Sequence, residues 1–193
     1  MIAPRTFQDC RGGFALPWLT EIRTARLHLR SPVLEDAEAI ADGLGRFAVA
    51  RMLPSLPFPY DRQDALEWLL PRASGVQSGW AFAIARENGP LMGIVSIERS
   101  GDRWVLGYWL SPPYWGQRLA SEAVEAVVDA FFAHAPGESL HASVLSDNPA
   151  SFSLQSRMGF RITGCREVYC QARGAMKTLI ETVLDADDVR RTA

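Results

Sequence analysis

Hydrophobic and polar residues follow one another along the chain in patterns that predict alternating helices and strands. Residues 26–30 alternate between apolar and polar as a half-buried strand does, and 34–44 and 61–69 carry apolar residues at helical spacing. Asp61 is suited to cap the second helix, and Pro71 is expected to end it. Turn residues then separate three segments that predict an antiparallel meander: 80–86, 91–99 and 104–110.

The second half of the chain predicts two more helices and three more strands. The helices are expected over 120–133 and 148–157, and the strands over 140–145, 160–169 and 177–184. Neither an internal repeat nor a linker interrupts this order. We therefore expect one α+β domain in which helices cover both faces of a single mixed, mostly antiparallel sheet.

The composition is that of an ordinary globular protein. The chain has 193 residues, of which 48% are hydrophobic and 22% charged, as expected for one domain. It has neither an apolar run of ~18 residues nor a signal-peptide pattern, so we expect a cytoplasmic protein with no membrane partner. The net charge of −2 and the scattered basic residues argue against a nucleic-acid partner. The few cysteines and histidines form no metal-binding motif, so no metal is expected.

The segment Tyr114–Ala123 joins the end of a predicted strand to the start of a predicted helix. Unpaired N–H groups and the helix dipole make such a helix start partially positive, which suits a pyrophosphate. Gly116 lets the backbone approach a ligand closely, Ala120 keeps the first turn slim, and Arg118 is able to bind a phosphate oxygen. The alternative is an ordinary strand-to-helix turn without a ligand.

A second segment has a similar design. Asn148 stands at a strand exit, Ser151 lies one turn into a helix, and Gly159-Phe160 returns the chain to the sheet. Together the two segments resemble the GNAT superfamily of acyl-CoA-dependent N-acetyltransferases, and most of all its branch that acetylates the N-terminal alanine of ribosomal proteins. The resemblance covers about residues 21–185.

This resemblance implies a three-layer α/β/α domain with a splayed central sheet, an irregular extension over 1–20 and a C-terminal tail over 186–193. It also implies acetyl-CoA as co-substrate. The strand Gly107–Leu110 would pair with the pantetheine arm, and the backbone N–H of Leu110 would polarise the thioester carbonyl. The residues expected to bind the cofactor are Trp109, Leu110, Trp115, Gly116, Gln117, Arg118, Leu119, Ala120, Ser121, Asn148 and Ser151.

Two positions depart from the family pattern. The family loop runs Gln/Arg-x-x-Gly-x-Gly/Ala, and here Trp115 holds its first position and Arg118 its first glycine. A positive φ is costlier for arginine than for glycine, so either the loop is right-handed at Arg118 or cofactor binding is weakened. Many members carry a general-acid tyrosine where Gln155 stands. In the ribosomal-protein branch a serine at the place of Ser151 can protonate the departing thiolate, so Ser151 is the expected proton donor, unless its hydroxyl only starts the helix.

The implied reaction is direct transfer of an acetyl group to an amine. An α-amine with a pKa of ~8 is about 10% neutral at pH 7 and needs little help from a base, whereas a lysine needs a strong one. Glu98, Glu167 and His141 are the candidate bases, and none stands in a motif. The absence of a motif for a base favours a protein N-terminal α-amine as acceptor. The enzyme is expected to be a monomer or homodimer. The alternatives are a small amine, such as an antibiotic or polyamine, and a non-catalytic acyl-CoA-binding module.

Overall fold

The computed structural model describes residues 19–74 and 79–189, and a single sheet forms its centre. Its eight strands are β1 (Glu21–Arg23), β2 (His28–Arg30), β3 (Gly79–Ala85), β4 (Gly93–Ser100), β5 (Arg103–Leu110), β6 (Leu140–Leu145), β7 (Arg161–Cys170) and β8 (Ala175–Leu184). They are ordered β1-β2-β3-β4-β5-β6-β8-β7. Every neighbouring pair is antiparallel except β5 and β6, which confirms the predicted mixed, mostly antiparallel sheet.

Helices cover both faces of this sheet, as predicted. They are α1 (Ala37–Leu44), α2 (Phe47–Ala50), α3 (Arg62–Ala73), α4 (Leu119–His134) and α5 (Pro149–Met158). The first three enclose one apolar cluster around Ile40 and Leu69, whereas α4 and α5 pack on the other face around Trp104, Phe131 and Leu154. Within residues 19–74 and 79–189, none of the helices combines the length and apolar character needed to cross a membrane.

Helix α3 begins as its sequence predicts but ends later. The carboxylate of Asp61 accepts hydrogen bonds from the backbone N–H groups of Gln63 and Asp64, which caps the first turn. The expectation that Pro71 ends the helix is wrong, because Pro71 lies inside it. A proline in the last turn removes one backbone hydrogen bond. The side chain of Arg72 ties that turn down, since it donates to the Trp68 carbonyl and to β4.

Two features close to the ends of the described residues were not predicted. The short strand β1 was not predicted, and residues 1–18 of the expected extension lie outside the described part of the chain. At the other end, Ala186–Asp188 form a 3₁₀ turn that packs on Gly159. Arg161 forms ion pairs with Asp185 and Asp188. The 3₁₀ turn Ala186–Asp188 therefore packs against the domain and is held there by ion pairs.

The sheet opens between β5 and β6. The two strands pair only at Trp104 with Leu140 and at Val105 with His141. Beyond these pairs β5 stays paired with β4 up to Leu110, while β6 stays paired with β8 up to Leu145. Each strand therefore follows its other neighbour, and a gap forms between their carboxyl ends. We call this gap the splay, and it matches the splayed sheet that the family resemblance implies.

Candidate active site

The loop that enters α4 exposes its backbone at the mouth of the splay. Gly116 has a φ of +73°, and a Cβ added there would meet nothing within 4 Å. Arg118 is the N-cap residue of α4, with φ 60° and ψ 16°. The loop is therefore left-handed at Arg118, and the right-handed alternative is wrong. That conformation costs a non-glycine residue roughly 1–2 kcal/mol.

A carboxylate anchors the loop from behind. Glu122, in the first turn of α4, accepts hydrogen bonds from the Thr24 hydroxyl and from the backbone and side chain of Arg26. Burial raises the pKa of Glu122, but these hydrogen bonds outweigh it and hold the pKa below its ordinary value. Arg26 also donates to the Gln117 carbonyl, at 3.0 Å. The turn after β1 therefore braces the loop in one position.

Further guanidinium groups surround this helix start. Arg86 lies 3.5 Å from the side-chain oxygen of Gln117, and Arg157 of α5 lies 3.4 Å from the hydroxyl of Ser121. The exposed side chain of Arg118 has no ion pair among the described residues. Cationic groups, unpaired N–H groups and the helix dipole thus converge on one place, which fits a pyrophosphate.

The expected cofactor residues 115–121 contribute in different ways. The side chain of Leu119 is buried in the core, so only its backbone N–H is available to a ligand. The indole N–H of Trp115 donates to the Leu110 carbonyl at 2.6 Å, which closes the loop against β5. The Ser111 N–H donates to the carbonyl of Met92, the residue before β4, at 2.8 Å. Since successive N–H groups of an extended chain alternate in direction, the N–H of Leu110 points into the splay.

The start of α5 brings a pair of hydroxyl groups together on the α4 side of the splay. The side chain of Asn148 caps the helix by accepting from the Ser151 N–H at 3.2 Å. The Ser151 hydroxyl lies 2.7 Å from the phenol oxygen of Tyr108. Burial raises the pKa of Tyr108, although hydrogen bonds with Ser151 and Gln155 oppose this. Tyr108 therefore stays protonated at neutral pH and is able to donate to Ser151.

The opposite face of β5 borders a cavity of about 410 Å³, which we call the α3 pocket. Aliphatic side chains from α1, β4 and the loop after α2 form much of its wall. Its aromatic and acidic side chains are those of Tyr60, Asp64, Glu67, Trp68 and Trp109. Tyr108 also borders the pocket, although its phenol turns to Ser151 on the other face. The Trp109 ring packs against α1 at Gly43, so it lies in this pocket and not on the α4 side of the sheet.

One wall of the α3 pocket is held by the turn between β7 and β8. The Arg173 guanidinium is almost fully buried, donates to the Arg51 carbonyl at 2.8 Å and pairs with Asp147. The Gln171 N–H donates to the Pro54 carbonyl at 3.1 Å. The loop after α2 is thus tied to the residue before Asn148, and these contacts hold this wall of the pocket in place.

The three candidate bases lie away from this arrangement. Glu98 accepts from Arg72 at 2.6 Å and is paired in register with Val105, five residues before Leu110. At ~3.4 Å per residue these positions are about 17 Å apart along β5. His141 pairs with the same Val105 at the closed end of the splay, and Glu167 of edge strand β7 accepts from Thr178. The structure does not bring any of them to Ser151.

Comparison with known proteins identifies the family. Residues 26–161, more than half of the chain, match the acetyltransferase (GNAT) domain. The chain belongs to the GNAT acetyltransferase family. It is therefore an acetyl-CoA-dependent acetyltransferase, as predicted.

Relatives and solved structures agree with this assignment. The chain is 27% identical over 158 residues to the uncharacterised N-acetyltransferase p20 of Bacillus licheniformis, with 79% of this chain and 89% of that one covered. The ribosomal-protein-S5-alanine acetyltransferase of Vibrio fischeri has the same fold, with a TM-score of 0.72 at 20% identity, over 89% of this chain and 100% of that one. Mycobacterium smegmatis RimJ in complex with CoA-disulfide gives a TM-score of 0.70 at 19% identity, over 86% and 85% of the two chains.

Sequence reasoning missed several side chains of this GNAT acetyltransferase site. The sequence places Tyr108 in the strand Gly107–Leu110 but gives its side chain no role. Nothing in the sequence marks Arg157, because its contact with α4 depends on tertiary packing. The spacing of Asp64, Glu67 and Trp68 places them on one face of α3, and this pattern is visible in the sequence. Among the described side chains, no three histidine, cysteine or carboxylate groups are placed to hold a metal ion.

Proposed function

We propose that this enzyme transfers the acetyl group of acetyl-CoA to a primary amine, and that the α-amine at a protein N-terminus is its favoured acceptor. The observation that carries this proposal is the position of Gly107, Tyr108 and Trp109. These residues line the α3 pocket, and the same strand segment borders the splay. An amine in the pocket and an acyl donor in the splay would therefore share one strand as their boundary.

The chain has groups suited to bind the donor. Acetyl-CoA would supply an activated acyl group as its thioester. The backbone N–H groups at the start of α4, with Arg118 and Arg157, would bind its phosphates. The Leu110 N–H would donate to the carbonyl oxygen, where negative charge develops as the amine attacks.

The hydroxyl pair would supply the proton that the sulfur needs. The amine nitrogen would form a bond to the acetyl carbon as the carbon–sulfur bond breaks. The sulfur would take a proton from Ser151, Ser151 would regain one from the Tyr108 phenol, and solvent would reprotonate Tyr108 while the nitrogen loses its proton to solvent. A hydrogen bond from the Tyr108 phenol to the Ser151 oxygen leaves the serine proton free to point at the sulfur. Gln155 of α5 has no phenol group, and Tyr108 of β5 supplies one beside it.

An α-amine suits this site better than a lysine side chain. Glu98, His141 and Glu167 are all held elsewhere, so the site offers no strong base near Ser151 among these candidates. An amine with a pKa of ~8 reacts without one, whereas a lysine amine does not. The names of the Vibrio fischeri protein and of RimL, a ribosomal L7/L12 alpha-N-protein acetyltransferase, describe the same kind of acceptor and support the proposal.

The test is thiol release from acetyl-CoA with three groups of acceptors. The first is a set of peptides with free N-termini, the second the same peptides with a blocked N-terminus and an internal lysine, and the third a set of small amines and polyamines. We expect turnover with the first group and at most slow turnover with the second. Faster turnover with small amines than with every peptide would overturn the α-amine assignment and establish the small-amine alternative.

A further inference from the structure

The α3 pocket combines a large apolar surface with negative charge. Its volume of about 410 Å³ lies at the lower end of the range for small-molecule sites. Trp109 contributes a broad apolar face, and the Trp68 ring carries the Arg72 guanidinium at 3.6 Å from its centroid. No basic residue is among the described side chains that line the pocket. A ligand that complements such a pocket has an apolar body and a positive charge.

We propose that the α3 pocket selects acceptors whose reacting amine is carried on a bulky apolar body, such as a peptide that begins with leucine or phenylalanine, over acceptors that begin with alanine or serine. This inference rests on the proposed function and names its substrate class. This preference would separate the enzyme from similar proteins that are named for alanine or serine as the acceptor residue.

The size of the pocket favours a large side chain. The methyl group of an N-terminal alanine would leave most of the apolar wall in contact with water or empty space. Each further carbon of a leucine or phenylalanine side chain would cover part of that wall, and such contacts discriminate by about tenfold or more in kcat/KM. Because Arg173 and Gln171 hold one wall in place, the pocket does not simply collapse onto a small acceptor.

The two carboxylates of α3 favour a cation. One oxygen of Asp64 accepts from the Asp61 N–H, and Glu67 accepts from the Gln63 side chain. Neither carboxylate forms an ion pair with a described residue, and nearby Arg72 is already paired with Glu98. Burial, followed by the charge of Asp64, raises the pKa of Tyr60 to about 12, and the charge of Arg72 opposes this shift. An ammonium group arriving from solvent would therefore be attracted, whereas an anionic acceptor would be repelled.

The experiment uses one peptide sequence with alanine, serine, leucine or phenylalanine at its first position. Steady-state kinetics at saturating acetyl-CoA give kcat and KM, and calorimetry with CoA in place of acetyl-CoA gives peptide affinity without turnover. We expect kcat/KM for the leucine and phenylalanine peptides to exceed that for alanine by about tenfold or more, mainly through KM. The calorimetric Kd values should follow the same order.

Two variants assign the preference to the pocket. Glu67→Gln removes one charge without changing the capping role of Asp64, and it should raise KM and the calorimetric Kd several-fold while kcat stays the same. Glu38→Gln is its matched control, because Glu38 lies on α1, is 83% exposed at its side chain and does not line the pocket.

Gly107→Ala places a methyl group on the pocket floor, where it would meet only the Ser96 hydroxyl at 3.4 Å. It should reduce the preference for the bulky peptides.

The outcomes separate this inference from the function beneath it. Equal or better kcat/KM for the alanine and serine peptides overturns the inference and leaves α-amine acetylation in place, as does an identical KM for wild type and Glu67→Gln. Failure of every peptide overturns the α-amine assignment. In that case phenethylamine and ethylamine form the same bulky and small pair, and a preference for ethylamine overturns the inference as well.

Discussion

The two faces of β5 carry two sites that are built in different ways. On the α4 side, the proposed donor site consists mostly of backbone groups from two continuous segments, 115–121 and 148–151. On the other side, the α3 pocket consists of side chains from α1, α3, β4, β5 and the loop after α2. Backbone groups at a helix start bind any phosphate in the same way. A pocket of side chains, in contrast, changes its ligand with each substitution.

This difference separates a proposed site that a local sequence pattern reveals from one that only the fold assembles. The proposed donor site lies in two short segments of the chain. The lining of the α3 pocket comes from residues 40–68, 94–96 and 107–109, which the folded sheet brings together. Variants on the two sides should therefore separate donor binding from acceptor binding, and variants between them should affect chemistry alone.

The largest effect is expected at the hydroxyl pair between the two sites. Ser151→Ala should lower kcat by ~10²-fold while CoA affinity stays the same, because its proton is needed only as the thioester breaks. Tyr108→Phe should lower kcat less, and the double variant should match Ser151→Ala, since the two hydroxyls act as a unit. Steady-state kinetics and CoA calorimetry check this, with Ser156→Ala, an exposed serine of α5, as control. A wild-type kcat in Ser151→Ala removes Ser151 from the chemistry.

An intermediate effect is expected at Arg118. Arg118→Gly removes a charge-assisted bond to phosphate of ~1.5–3 kcal/mol, so CoA should bind roughly 10- to 100-fold more weakly with kcat little changed. The free protein should become more stable by up to ~1 kcal/mol, because glycine adopts the left-handed conformation without strain. Calorimetry and denaturant unfolding measure these opposite changes.

The control at this position is Arg118→Asn, because asparagine tolerates a positive φ but has no guanidinium. It should weaken CoA binding as much as the glycine variant does. Tighter binding of CoA by Arg118→Gly would show that the arginine obstructs the loop.

The smallest effect is expected on the α3 side. In Gly43→Ala the new methyl group would overlap the Trp109 ring and lie 2.8 Å from the Ser111 hydroxyl, so the ring must move. Overpacking costs ~1–3 kcal/mol, and the better helix propensity of alanine offsets about 1 kcal/mol of it. We expect acceptor KM to rise several-fold while the Kd for CoA stays the same. A change in CoA affinity with an unchanged acceptor KM would contradict the separation of the two sides.

Much of the fold was predictable because its signals are local. The cap at Asp61, the turns of the meander and the apolar stripe of α4 each lie within a few residues. The helix starts at Arg118 and Asn148 could be located for the same reason. Only the backbone angle at Arg118 needed the structure, since the sequence left both conformations open.

The rest depended on contacts between distant residues. Alternation along β5 puts Tyr108 and Trp109 on opposite faces, but it does not tell which helix each will meet. Glu98 was one of three candidate bases, and no motif in the sequence chooses among them. In the structure it accepts a hydrogen bond from Arg72, which lies 26 residues away in sequence. Pro71 was misjudged because the same arginine stabilises the turn around it.

The splay also has a consequence for how the protein assembles. Since β5 and β6 share only two residue pairs, the sheet is nearly two separate halves, β1–β5 and β6–β8. Each half is built mainly from strands that are close along the chain, and such local contacts form quickly in folding. The junction forms only when α4 has carried β6 to the edge of β5. A donor bound there would contact both halves. Because it would bind only the folded protein, it would raise the free energy of unfolding of the whole domain by an amount that grows with the ratio of its concentration to its Kd.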